Sequence, residues 1–335
     1  MTTAPTADRA TGAPRPRRWV DAEIARLDPE HDYEQILRLV AEYRLDFLPM
    51  NLVLLVSTAG AVMNPEGART LVGTGKMLHR SERRFDDGNG YFFAWLVDGV
   101  NSEAGIAATE RLNRYHLGVA REHPAAFGQD EDYLYTLAAL AVFGERMRRA
   151  LDLPPEHPNV AIAWHHALRD LCSRLVGTHG PVTGFPDDYA GLLAMAEEWE
   201  ARSWQTTPEG LELINGMTRQ LCERFFPRPL HWFGRTLVQL VTPEPIRRVH
   251  RMGDPGPVAG PVVKALFRRA LLAQAKAPDP ALPFSQRRTS PRAAQAADKR
   301  RARMARVHES ALRTGALSTP PTRTGRAEAA RDASA

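Results

Sequence analysis

Apolar residues recur along most of this chain at spacings of three and four, the interval that stacks side chains on one face of an α-helix. Ile36, Leu39, Val40 and Tyr43 carry that pattern from residue 32 onward. Residues 51–63, NLVLLVSTAGAVM, are apolar on every side. That run is well short of the roughly twenty residues a spanning helix needs, so it reads as a buried helix or one that touches a membrane surface. Asn64-Pro65-Glu66-Gly67 is a turn able to start another helix. Gly73, Gly75, Gly88 and Gly90 mark expected breaks around the basic pair Arg83-Arg84, and an apolar segment over 91–100 leads into a helix over 103–122. On that helix Ala108, Leu112, His116 and Val119 share one stripe, while Arg111, Arg114 and Arg121 share another. Beyond a loop containing Pro124 and Gly128, Leu137, Leu140, Met147 and Leu151 form the stripe of a further helix. Pro154, Pro155 and Pro158 end it and open the next, on which Trp164, Leu168, Leu171 and Leu175 line up. After a Gly/Pro loop over 177–186, helices are predicted at 187–204, 208–225, 230–241 and 258–276.

Strand-like alternation is nowhere sustained, so the expected fold is all-α: a single multi-helix globular domain over residues 19–276. Residues 1–18 and 277–335 read as disordered basic tails, rich in Ala, Pro, Thr and Arg. Ala, Arg and Met favour a transient helix over 300–313, with too little apolar surface to dock.

Charge refines this picture. The sequence pI of about 9.5 invites a nucleic-acid reading, but the positive charge is not on the domain. Residues 285–335 hold twelve Lys/Arg against four Asp/Glu, and residues 1–18 hold four Arg against one Asp. For the chain to total +5, residues 19–284 must carry a net −6. An acidic body excludes a nucleic-acid groove built on the fold, while the basic ends leave room for weak peripheral contact with an anionic membrane or another polyanion. The N-terminus has no early apolar core, so no secretory signal is expected and the predicted location is cytoplasmic, with membrane-peripheral contact as its variant. Two cysteines, Cys172 and Cys222, both in apolar helical surroundings, rule out a disulfide framework or thiolate metal site.

Candidate chemistry is sparse. A lone imidazole on a core-facing stripe needs a partner, because an unpaired buried polar group costs a few kcal/mol. For His116 that partner is a carbonyl, a water or a metal, and the residues alone leave all three open. His165-His166 with Asp170 offers an i, i+4 His/Asp pair, half a metal site with no second ligand pair near it in sequence. Arg83-Arg84, beside Glu82, Asp86 and Asp87, reads by itself as a solvated charge run. No G-x-S-x-G, P-loop or G-x-G-x-x-G occurs.

Three segments in order carry a family resemblance: TGKMLHRSERRFDD at 74–87, ERLNRYHLGV at 110–119 and DEDYLYTLAALAVF at 130–143. This order resembles the catalytic domain of MpaB-type oxygenases and latex-clearing rubber oxygenases, over about residues 32–245. The resemblance implies haem b in a pocket between helices, with the iron bound by His116, the histidine of the R-L-N-x-x-H helix. It places Leu112 and Gly88 against the cofactor, and Arg84, with Arg83 as its alternative, on the opposite, oxygen-binding side. In the family pattern the arginine is followed four residues later by threonine; here Gly88 stands at that position, so a hydroxyl is missing and Asp87 is the nearest polar substitute. Asn113 and Tyr135 match positions read as helix packing. The implied activity is that of a haem b-dependent oxygenase, using O2 to oxidise or cleave a C=C bond in a hydrophobic, isoprenoid or lipid-like substrate. The missing hydroxyl sustains the alternative, a catalytically inactive helical binding or scaffold protein of the same fold.

Overall fold

The structure, a computed structural model, describes residues 17–315 and 317. The chain opens with α1 (Trp19–Arg26), α2 (Tyr33–Tyr43) and α3 (Phe47–Ala61), followed by α4 (Pro65–Gly73), α5 (Lys76–His79) and α6 (Ser81–Phe92). A π-helical segment, Phe93–Gly99, continues α6 toward α7 (Glu103–Glu122) and α8 (Asp130–Ala150). After α9 (Pro158–Cys172), a two-strand hairpin of β1 (Val176–Gly177) and β2 (Gly180–Pro181) precedes α10 (Tyr189–Ala201) and α11 (Pro208–Phe225). The remaining helices are α12 (His231–Val241), α13 (Glu244–Val249), α14 (Ala259–Lys276), α15 (Phe284–Arg287) and α16 (Pro291–Arg313).

Local chemistry sets many of these boundaries. Asp46, Asn64, Ser102, Asp188, Thr207 and Ser290 each cap a helix by accepting a bond from a backbone N–H in its first turn. Pro65, Pro208 and Pro291 follow three of those caps, at positions where a missing N–H costs nothing.

Buried side chains form two large clusters. One joins α1, α2, α8, α9 and α10 through residues such as Ile36, Leu37, Leu168 and Leu192; the other joins α3, α4, α11 and α12 through Leu52, Leu55, Leu213 and Leu237. The clusters meet where α3 crosses α8. There Gly60 leaves room for Tyr135, whose ring stacks on Trp199 at 5.1 Å and whose hydroxyl donates to Glu200 at 3.1 Å. Trp199 donates in turn to the Gly60 carbonyl at 3.0 Å, and Arg146 pairs with Glu200 at 2.6 Å. A side chain at Gly60 would overlap the Tyr135 hydroxyl.

Three expectations need correction. Gly88 and Gly90 do not break the chain; both lie inside α6, which packs on α3 and on the π-helical segment, and this packing outweighs the weak helix propensity of glycine. The domain boundary at 276 is also wrong, because the chain beyond it is built into the fold. Asp279 accepts from the Val20 N–H at 2.8 Å and from Arg44 at 2.6 Å, while Glu42 accepts from the Ser285 N–H at 2.8 Å and its hydroxyl at 2.6 Å. The transient helix expected over 300–313 is part of α16, which lies on α11 with Met304 and Ala311 buried. Sparse apolar spacing hid this docking, since polar anchors and an Arg300 guanidinium 4.6 Å above the Phe85 ring do much of the holding. Residues 1–16, 316 and 318–335 of the two expected tails lie outside the described residues. Among the described residues no helix is long and apolar enough to cross a membrane.

Candidate functional site

α7 packs mainly on the π-helical segment and on β1, and its Leu112–His116 stripe faces α8 across a cavity. Ala108 and Val119 on that stripe are buried, while Leu112 and His116 are half-buried because they face a cavity. The cavity measures about 1130 Å³, at the top of the roughly 300–1,000 Å³ of ordinary ligand sites. Its walls come from α3, α6, the π-helical segment, α7 and α8, with Leu54, Trp95, Leu96, Leu112, Phe127 and Leu140 among the apolar lining; Leu271 and Leu272 of α14 also contribute.

His116, Leu112, Arg84 and Gly88, far apart in sequence, all line this one cavity. Arg83 does not; it is exposed, because the next residue on a helix is turned about 100° away. The catalytic alternative at Arg83 is therefore set aside in favour of Arg84.

The His116 ring stacks on Phe127 at 4.1 Å between centroids, with planes 17° apart, and meets the edge of Tyr133 at 5.7 Å. Its Nδ1 is buried without a partner, and no residue among those described hydrogen-bonds either ring nitrogen. Of the partners open to it, a carbonyl is thus not supplied by the described residues. Burial, reinforced by the nearby Lys76 charge, holds the imidazole neutral, with its pKa pushed down to about 4. Phe127 reaches the ring from a backbone with φ of 57°, a left-handed conformation that costs about 1–2 kcal/mol outside glycine. That residue escaped the periodicity reading because it lies in a loop, where stripes carry no signal.

Arg84 is 7% exposed, its Nε is buried without a partner, and no carboxylate among the described residues pairs with it. Burial, then the like charge of Arg224, pushes its pKa down to about 10, against the opposing pull of Glu82. Glu82 itself pairs with Arg224. At Gly88 a Cβ would stand 3.3 Å from Leu54 Cδ2, so the threonine of the family pattern would need the Leu54 side chain to shift by a few tenths of an ångström. Asp87, the expected polar substitute, is engaged by Lys76 Nζ at 2.8 Å, and Lys76 also sits 4.4 Å from the Tyr115 ring centroid. Tyr133 and Asp132 add polar groups to the lining; the Tyr133 hydroxyl is buried unpaired, and burial raises its pKa to about 12.

The half metal site on α9 resolves into structural bonds. His165 Nε2 lies 2.9 Å from the Pro186 carbonyl, His166 packs against Tyr33, and Asp170 accepts from the Tyr33 hydroxyl at 2.5 Å and from Asn101 at 2.8 Å. Asn113 likewise ties α7 to the hairpin through the Arg174 carbonyl and the Val176 N–H. Among the described residues no group of three or more His, Cys, Asp or Glu could hold a metal ion. A single imidazole on an apolar wall would serve a cofactor that supplies its other ligands itself, and His116 is the residue that would hold it. A hydrogen-bond acceptor for Nδ1, the usual companion of a ligating histidine, is not among the described residues.

No known family model matches this chain, and no curated protein matches it. The resemblance therefore rests on the short motifs alone.

Proposed function

We propose that this protein is a haem b-dependent oxygenase that uses O2 to oxidise or cleave a C=C bond in a hydrophobic, isoprenoid or lipid-like substrate. The observation that carries this reading is His116: a neutral imidazole, its buried Nδ1 unpartnered among the described residues, on the wall of a large apolar cavity. When bound, haem would supply the oxygen chemistry that no side chain of this protein can perform. The protein's part is to bind, orient and exclude water. His116 offers a lone pair without first losing a proton, since burial has already removed it. Phe127 covers one face of the ring and leaves its edge, where the nitrogens are, free of that contact. Leu112, one turn before His116, extends the apolar wall, and Gly88 leaves room beside the Leu54 side chain. Arg84 lines the same cavity with no carboxylate partner among the described residues, and there it would stabilise negative charge.

The second reading, a helical binding or scaffold protein of the same fold without catalysis, is favoured by one observation. No hydroxyl stands at position 88, and Asp87 is held by Lys76. An absorption spectrum of protein produced with haem available, beside a His116→Ala variant, separates the two. An intense Soret band that is lost or shifted in the variant supports the haem protein. A colourless wild type sinks the oxygenase reading and leaves the binding protein.

A further inference from the structure

Arg84 forms no ion pair with any carboxylate among the described residues, and only the more distant Glu82 offsets its charge. Glu82, two residues before Arg84, pairs through Oε1 with Arg224 of α11, whose side chain is fully buried and whose own Nε and Nη1 lack acceptors, while Glu82 Oε2 is buried without a partner. Arg224 lies 4.5 Å from the Phe85 ring centroid, and Arg300 of α16 lies 4.6 Å from the same centroid. The Nε of Arg300 is also buried and unpaired. Asp86, on the outer side of α6, is engaged by Arg301 at 3.5 Å. Arg84, Arg224, Arg300 and Arg303 thus cluster around two carboxylates, the half-buried Glu82 and the exposed Asp86, so positive charge is in excess on this wall. Burying a charge without a counterion is strongly unfavourable, and mutual repulsion among the arginines adds to it.

Of these groups only Arg84 lines the cavity. The lining of that cavity is mainly apolar, with Met50, Leu54, Phe85 and Phe92 among it and Asn51 and Asn89 as polar members. A developing charge that exists only during a reaction leaves the resting protein with this imbalance; a permanent anion removes it. We infer that the ligand of this cavity is an amphiphile with an oxyanion head, a carboxylate or a phosphate, on an apolar chain, and that Arg84 receives the head. The planar guanidinium can donate two parallel bonds to either head, while Arg224 behind it supplies additional positive field. The inference deepens the proposed function by naming its substrate class. It rests on the cavity being the ligand site and not on haem.

Calorimetric titration of the full-length protein with dodecanoate, dodecyl phosphate and dodecanol, each below micelle formation, tests it. Either or both anions should bind at least about tenfold more tightly than the alcohol, a gap of about 1.4 kcal/mol; which anion wins tells a fatty acid from a phosphorylated lipid. In Arg84→Gln the anions should fall to the level of the alcohol, with alcohol binding retained. The ligand-free melting temperature of that variant should hold or rise, because an uncompensated buried charge has gone; an arginine with a purely structural role would lower it. Arg84→Lys, which keeps the charge and loses the fork, should keep a weaker preference and serves if the glutamine variant does not fold. Arg83→Gln, exposed on the same helix, should behave as wild type. Equal binding of alcohol and anions by the wild type, or an undiminished preference in Arg84→Gln, overturns the inference and leaves the cavity as a ligand site. Binding of none of the three overturns both. If prior loading with haem abolishes anion binding but spares dodecanol, Arg84 receives the haem carboxylates and the substrate assignment falls.

Discussion

Protonating His116 should cost this fold stability in a pH window that few other groups share. The ring's pKa is pushed down to about 4 in the folded protein, against about 6.5 for an ordinary histidine. Above about pH 6.5 the ring is neutral in both folded and unfolded chains, and the fold pays no penalty. As pH falls from about 6.5 toward 4, the unfolded chain takes up a proton that the folded one refuses, so stability declines by up to about 1.4 kcal/mol per pH unit. By about pH 4.5 the accumulated loss is about 2.5 kcal/mol, an order-of-magnitude figure that water entering the cavity would reduce. Urea unfolding of the protein without added haem, at about pH 7 and about pH 4.5, measures it when His116→Gln is run alongside. His79, His166 and His250, whose values burial also lowers, are common to both proteins and cancel in the difference. The stability of wild type relative to the variant should drop by about 2–3 kcal/mol between the two conditions. A difference that does not change with pH, or an NMR titration of the His116 ring with a midpoint near 6.5, would refute the buried, neutral imidazole and with it the ligand role.

Replacing Gly60 with alanine would ordinarily favour a helix by up to about 1 kcal/mol, yet here the new methyl meets the Tyr135 hydroxyl. We expect a net loss of about 1–3 kcal/mol in chemical denaturation, and a gain would contradict the close approach of α3 and α8. Glu42→Gln weakens the two bonds that hold Ser285, so a stability loss of about 1–2 kcal/mol and faster proteolysis near α15 should follow. Unchanged protection would mean that the segment is not anchored there. Arg83→Ala, on an exposed position outside the cavity, should shift stability by no more than about 0.5 kcal/mol and leave any haem spectrum intact. A larger effect on the spectrum would restore Arg83 as a site residue.

The sequence by itself determined the helical class and most helix positions, because apolar spacing and capping residues are local. The segment over 103–122 coincides with α7, Asn64-Pro65 starts α4, and the apolar run over 51–63 belongs to α3, buried between α6, α8, α11 and α12. It also singled out His116 and Arg84, though not what surrounds them. A stripe on a helix wheel looks the same whether it meets close-packed neighbours or empty space, so only the tertiary structure decided that Leu112 and His116 face a cavity. The choice between Arg83 and Arg84 needed the rotation of α6 against its neighbours, and the stacking of Phe127 needed a loop conformation that no pattern announces. Residues beyond 276 looked unable to fold because their apolar surface is sparse. Their anchors, Glu42 and Asp279, work across more than two hundred residues of chain, and such pairings exist only once the fold has brought the partners together.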